Sequence, residues 1–227
     1  MKAILVNDDR SLRWDNVPDP LIKPDEVLVK IEAAALNRAD LMQREGDYPP
    51  PAGCPEWMGL EVAGEIVEVG EDVPKYSAWK LGDKVCALLG GGGYAEYVSV
   101  KYDMLMPIPK NCSVVEAAAI PEAFATAYLN LFIEGGIKEE NTLLMNAGAS
   151  GLASVIIPIA KAFGARVITT VLTDEIAKNI AHFGADHVVV TTKEDISLVL
   201  KEDTEAEEPH DILYQGKNVG KVVLTVG

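Results

Sequence analysis

Cysteine, histidine and positive charge are all scarce in this chain, and each scarcity excludes something. The 3 cysteines, Cys54, Cys86 and Cys112, are odd in number, widely spaced and form no CxxC pair. They offer no disulfide framework, and a reducing cytoplasm is the expected home. The 3 histidines, His182, His187 and His210, lack metal-ligand spacing. With 20 basic against 35 acidic residues the net charge is −15, which argues against nucleic acid or an anionic membrane as the principal partner. No apolar run approaches the ~20 residues of a spanning helix. The opening MKAILVNDDR reaches Asp8 too soon for a secretion signal. What remains, 48% hydrophobic and 24% charged over 227 residues, fits a globular protein of one large domain or two small ones.

Up to about Pro109 the chain carries short runs of strand character: KAILV, EVLVKIEAA, LEVAGEIVEVG, DKVCALL and YAEYVSV. In the second, Val27, Val29 and Ile31 alternate with Lys30 and Glu32, the period of a half-buried strand. Pro18, Pro20, Pro49 to Pro51 and Gly90 to Gly93 break the runs, the last as an expected turn. Many short strands with such breaks predict a closed or nearly closed β-barrel.

At Ser113 the period changes. Ser113 and Glu116 are spaced as a capping box, and Pro121 opens a helix over PEAFATAYLNLF, with Phe124, Ala127, Tyr128 and Leu131 as its stripe. Next, NTLLMNAGASGLASVIIPIAKAFGARVITTVLTDEIAKNIAHFGADHVVVTT reads strand, small-residue turn, helix, strand, helix, strand. The nearly continuous apolar strands predict a parallel sheet covered on both faces. Thr173 is the expected cap of the second helix and Gly184 its stop. This βαβαβ pattern is one mononucleotide-binding half of a doubly wound fold.

The turn Ala147, Gly148, Ala149, Ser150, Gly151, Leu152 carries the chemistry. Small residues there let the backbone approach a pyrophosphate at a helix N-terminus, where free N–H groups favour negative charge. The alternative is a tight turn serving only close helix–strand packing. Pro158, inside the helix that follows, removes one backbone bond. After the second strand no carboxylate stands against a 2′-phosphate until Asp174, and Thr173 is placed to donate to one, which leans toward NADP.

These residues resemble a known family. ALNRADLMQREGDYPPPAGCPEWMGLEVAGEIVEVG, GGGGYAEYV, NAGASGLAS and GKNVGKVVLTV are similar to the zinc-free quinone oxidoreductases of the medium-chain dehydrogenase/reductase superfamily, nearest the p53-inducible quinone oxidoreductase type. The resemblance implies an α/β fold with a β-barrel. A GroES-like domain would span residues 1–118 and a half Rossmann cofactor domain residues 119–194. Residues 195–227 would form a C-terminal return to the GroES-like domain. It also implies NADPH in a cleft, with hydride passing to a quinone or another α,β-unsaturated carbonyl. Zinc-dependent relatives carry Cys where this chain has Asn37 and His where it has Leu60. Neither replacement can hold a catalytic zinc, and no metal is expected. By the same resemblance Asn37 and Tyr48 line the substrate and nicotinamide site, and Thr126 touches the carboxamide. Each has a structural alternative: a turn at Asn37, packing of Tyr48 on Pro49 and Pro50, a helix-interior Thr126. Two departures weaken the NADP reading: Ile176 replaces a family Lys, and Thr191 or Thr192 replaces a Tyr.

The segment ISLVL follows the third strand almost at once. By resemblance it begins the return, with a helix around EEPHDILYQG, started by a Thr204–Glu207 capping box, and the strand KVVLTV. Something on the order of 100 residues, three strand–helix units, would then be missing from the Rossmann sheet. The truncated sheet is expected in the order 3-2-1, leaving strand Thr142–Asn146 as a bare edge. Such an edge predicts pairing with its counterpart in a second chain, an isologous homodimer. Two functions follow: a metal-free NADPH-dependent oxidoreductase, or a catalytically silent nucleotide-binding or scaffold protein derived from one.

Overall fold

Alternation along Glu26–Ala34 sets the first sheet. In the computed structural model, which describes residues 1–204, Val27 and Val29 are fully buried while Lys30 and Glu32 face water. The elements of this part, in chain order, are β1 (Lys2–Val6), β2 (Leu12–Asn16), β3 (Glu26–Ala34), α1 (Arg38–Glu45), β4 (Glu61–Val69), α2 (Val73–Tyr76), β5 (Lys84–Leu88), β6 (Tyr97–Lys101), β7 (Leu105–Pro107) and α3 (Val114–Ala117). Five strands form one antiparallel sheet in the order β6-β3-β4-β5-β7. Register shifts at Leu28/Val29 and Ile31/Ala33 bend β3, as bulges do. The β1–β2 hairpin joins through Ile4, whose N–H donates to the Tyr94 carbonyl at 2.8 Å. Val27, Val29, Val62, Ile66, Val85, Val98 and Val100 fill the interior, each burial being worth roughly 1.5–3 kcal/mol before entropy is counted. The strand runs from which a β-barrel is expected make up this bent antiparallel sheet.

The glycine run is more than a hairpin turn. The N–H groups of Gly92, Gly93 and Tyr94 donate to the carbonyls of Trp57, Gly59 and Met58 at 2.9, 3.0 and 2.9 Å. Gly59 has φ +106, and a Cβ on it would stand 2.5 Å from the Tyr94 nitrogen. Only glycine lets these two segments touch.

The remaining elements are α4 (Pro121–Tyr128), β8 (Thr142–Met145), α5 (Ala153–Ala162), β9 (Arg166–Val171), α6 (Asp174–Ile180), β10 (His187–Val190) and α7 (Ile196–Thr204). The chain divides into two compact units inside α4, the first being Met1–Glu122. The break lies just past the expected end of the first domain. Ser113 opens α3 with the expected reciprocal bonds to Glu116, at 2.8 and 3.2 Å. The expected α4 stripe holds only in part. Ala127 and Leu131 are buried, but Phe124 and Tyr128 are 45% and 59% exposed. The helix continues as a π-helix over Leu129–Glu134, whose wider turns change the phase, and Phe132 packs against the core beside Leu131.

In the second unit β8, β9 and β10 pair in parallel in the order β10-β9-β8, the truncated 3-2-1 sheet. Among the described residues β8 is an edge. Leu143, Met145 and Val167 pack with Ile156, Ile157 and Ala160 of α5, while the ring of Pro158 sits on the exposed side of that helix. Ile168 and Val189 pack with Ile196, Val199 and Leu200 of α7. ISLVL is helical, and its Ile196, Val199 and Leu200 pack on the parallel sheet. Ile196, Val199 and Leu200 stand at i, i+3 and i+4, one helical face. The expected helix around EEPHDILYQG, the strand KVVLTV and the Thr204–Glu207 box lie outside the described residues. No helix of the described residues is long and apolar enough to cross a membrane.

Candidate active site

Asn37 stands just before α1, with extended backbone at φ −121 and ψ 158. Its N–H donates to the Asp40 carboxylate at 2.7 Å, and its side-chain amide donates to Glu61 Oε1 at 2.9 Å. Both acids are buried, Asp40 at 4% and Glu61 at 2% exposure. Asp40 also accepts from the Tyr94 hydroxyl at 2.8 Å and the Gly59 N–H at 3.2 Å. Glu61 Oε2 accepts from the Glu122 N–H at 2.8 Å. Burial, the largest influence, pushes the Glu61 carboxyl above the ordinary glutamate range, opposed by the bonds from Glu122 and Asn37. Burial, then Asp40, pushes the Tyr94 phenol above its usual range. Asn37 is thus the head of a four-residue polar cluster in an otherwise apolar interior. The sequence reading missed Asp40, Glu61 and Tyr94. The signal for Glu61 was present: an acid in the strand LEVAGEIV, buried at successive positions, must have hydrogen-bond partners.

Leu60 is buried and apolar, 7% exposed, and supplies no donor. Among the described residues no group of three His, Cys, Asp or Glu side chains is arranged to hold a metal. Tyr48 lies on the loop after α1, 42% exposed. It does not enter the hydrogen-bonded cluster around Asn37.

The second group of residues surrounds the turn between β8 and α5. Ala147 adopts φ +56, uncommon for a side-chain-bearing residue. Its N–H donates to Thr170 Oγ1 at 3.2 Å, and the Gly148 N–H donates to the Thr170 carbonyl at 2.8 Å. A Cβ on Gly148 would lie 2.3 Å from Thr169 Oγ1, whereas one on Gly151 would meet nothing within 4 Å. The two glycines therefore serve different needs: Gly148 lets the turn pack on β9, and Gly151 leaves the outer side open. Ser150 Oγ, in the turn before α5, accepts from the Ala153 N–H at 3.1 Å. The N–H groups of Ala149, Gly151 and Leu152 donate to no acceptor among the described residues. They stand at the N-terminus of a 10-residue helix, where backbone donors and the helix dipole suit an anion. The turn fits a pyrophosphate.

Thr126 lies in α4, partly buried, and its carbonyl accepts the Asn130 side-chain amide at 2.8 Å. Thr173 caps α6 by accepting from the Ile176 N–H at 3.3 Å, which leaves its hydroxyl hydrogen for donation. Ile176 packs with Val171, Ile180 and Val190, an apolar place that a lysine could not take without loss. Thr191 and Thr192 donate to the Val171 and Leu172 carbonyls at 3.2 and 3.0 Å. Lys193 pairs with Asp174 at the same end of the sheet.

Residues 23–110 match the alcohol dehydrogenase GroES-like domain. The chain is 32% identical to an acryloyl-coenzyme A reductase of Sulfurisphaera tokodaii, over 85% of this chain and 65% of that protein. It is 32% identical to a chloroplastic NADPH-dependent alkenal/one oxidoreductase of Arabidopsis thaliana, over 93% of this chain and 58% of that protein. Among solved structures, the Escherichia coli quinone oxidoreductase complexed with NADPH superposes with a TM-score of 0.76 at 29% identity, over 90% of this chain and 62% of that one. The chain thus spans less than two thirds of the length of these relatives. With the curved antiparallel sheet, the parallel three-stranded sheet and its small-residue turn, these matches identify a chain that carries the alcohol dehydrogenase GroES-like domain and is similar to the quinone oxidoreductases of the medium-chain dehydrogenase/reductase superfamily.

Proposed function

We propose that the chain is an NADPH-dependent oxidoreductase acting on quinones or other α,β-unsaturated carbonyls without a metal. The observation that carries this is the turn at Ala149, Gly151 and Leu152, with its three uncommitted N–H donors and the open side of Gly151. In this reading Ala147 to Leu152 hold the pyrophosphate of NADPH and the hydroxyl of Thr173 donates toward the 2′-phosphate. Thr126 contacts the carboxamide, and Asn37 and Tyr48 line the acceptor site. NADPH, when bound, supplies the hydride. The chain's own part is orientation and exclusion of water. An electron-poor acceptor needs little activation, so the amide of Asn37 suffices to orient a carbonyl. Leu60 and Asn37 present neither imidazole nor thiolate, the donor chemistry a catalytic zinc requires, which supports metal-free turnover. The relatives' activities, on an alkenal/one and on acryloyl-coenzyme A, favour the same acceptor class.

A second reading is a nucleotide-binding protein without turnover. The three-stranded parallel sheet favours it, since hydride transfer fails when a site is displaced by ~1 Å, at a cost of ~10²-fold. The edge of β8, without a partner strand among the described residues, supports assembly as a homodimer through Thr142–Asn146 in either case. Calorimetric titration with NADPH, paired with NADPH oxidation by a simple quinone, tests both. Binding with turnover is the expected result. Binding alone selects the second reading, and absence of binding overturns both.

A further inference from the structure

Glu61 is the feature that the resemblance leaves without a role. It stands at the first position of β4, flanked by Leu60 and Val62, yet it is 2% exposed. A carboxyl group in such a place needs donors for both oxygens. It has them: the Asn37 side-chain amide on Oε1 at 2.9 Å and the Glu122 backbone N–H on Oε2 at 2.8 Å. No other side chain of similar size satisfies that pair. A glutamine would turn its own NH2 group toward one of the two donors, and an alanine would leave both unpaired.

We infer that Glu61 is a positioning residue that fixes the orientation of the Asn37 amide and ties it to the first turn of α4. An asparagine amide has two nearly isosteric orientations, with nitrogen and oxygen exchanged. The bond to Glu61 selects the one in which Nδ2 faces the carboxyl and Oδ1 lies on the other side. One Nδ2 hydrogen is then committed to Glu61 and the second remains to donate to a polar acceptor in a fixed direction, and Glu61 supplies the constraint. Glu122 is the last residue of the first unit, so the same carboxyl that sets Asn37 also holds the backbone where the chain leaves that unit. The ionisable groups that act on or beside Glu61 are Asp40, Glu122, Tyr94 and Cys86. This inference rests on Asn37 being a site residue for its functional meaning, but the geometry it asserts is measurable without any ligand.

The test is nuclear magnetic resonance of the Asn37 side-chain amide, assigned by its loss in Asn37→Asp. In the unsubstituted protein one Asn37 amide proton should be shifted downfield and slow to exchange, and its signal should move as pH is lowered and Glu61 takes up a proton. In Glu61→Gln, with the backbone spectrum otherwise native, the downfield shift, the slow exchange and the pH response should all disappear. An Asn37 amide that exchanges freely and does not respond to pH in the unsubstituted protein overturns the inference, even if Glu61→Gln fails to fold. Kinetics separates the inference from the site reading. If Asn37→Ala leaves quinone turnover unchanged, the role of Asn37 falls while the Glu61 bond stands. If Asn37→Ala lowers kcat about tenfold or more and a folded Glu61→Gln leaves it unchanged, the positioning role of Glu61 falls.

Discussion

Tyr94 donates its hydroxyl hydrogen to Asp40 at 2.8 Å, joining the end of the glycine run to the first turn of α1. The same carboxylate takes the Asn37 and Gly59 N–H groups, so one buried acid holds three separate stretches of backbone or side chain together. Burial and Asp40 both raise the phenol's ionisation above its usual range, so Tyr94 remains a donor at any working pH. Tyr94→Phe removes that donor, which also lies 3.4 Å from the Ala35 carbonyl. It should destabilise the protein by about 1.5–3 kcal/mol, the range for a hydrogen bond to a charged group, seen as a lower urea midpoint with an unchanged slope. An unchanged midpoint would show that Asp40 is satisfied without it.

Glu61 gives the stability a pH dependence of definite sign. Its folded carboxyl ionises above the ordinary glutamate range, mainly through burial. Between the ordinary value and the raised one the folded state therefore holds the proton more tightly than the unfolded state. The contribution of Glu61 is fully present below the ordinary range and is lost as pH rises through the folded value. Chemical denaturation across mildly acidic to neutral pH should show this decline, and Glu61→Gln should flatten it. A decline of equal size in the variant assigns it to another group.

The two glycines of the turn should part company when each is replaced by alanine. A Cβ on Gly148 meets Thr169 Oγ1 at 2.3 Å, and one on Gly151 meets nothing within 4 Å. Gly148→Ala should lower stability by about 1–3 kcal/mol through overpacking. Gly151→Ala should leave stability nearly unchanged and weaken NADPH binding about tenfold, a change of ~1.4 kcal/mol. Melting curves and calorimetry distinguish the two outcomes.

Replacing Thr173 by alanine removes the acceptor for the Ile176 N–H and should cost about 1 kcal/mol of stability. A loss of NADPH affinity with NADH affinity unchanged would add the second role, donation to the 2′-phosphate. Equal loss for both nucleotides would restrict Thr173 to capping.

The edge strand β8 makes a prediction about assembly. Leu144 is partly buried and Leu143 and Met145 are buried within their own unit, yet among the described residues the outer backbone groups of the strand have no strand beside them. Light scattering with size-exclusion at micromolar concentration should show a dimer. A stable monomer would mean that the edge is covered in some other way.

Much of this was legible in the sequence because local rules and tertiary packing agree. Ser113 with Glu116, Thr173 as a cap and Gly184 at φ +87 are determined within a few residues of themselves. The parallel strands around RVITTV announce themselves by burial on both faces. What failed depends on partners far away in the chain. ISLVL is too short an apolar run for its periodicity to be decided without the sheet it covers. Phe124 and Tyr128 stand on the expected stripe of α4 yet are exposed, and the π-helix that follows them is signalled by no residue pattern. Asp40, Glu61 and Tyr94 come together only because the glycines let residues 57–59 lie against residues 92–94. Asn37 was singled out through the family resemblance, but its hydrogen-bond partners were invisible until β4 was in place.

The most direct measurement is calorimetric titration of the unsubstituted chain and of Gly151→Ala with NADPH under identical conditions. Saturable binding by the first and roughly tenfold weaker binding by the second, with equal melting temperatures for the two apo proteins, is the expected result. No binding by the unsubstituted chain, or equal affinity in both, would contradict the assignment of the turn at Ala147 to Leu152 to the cofactor.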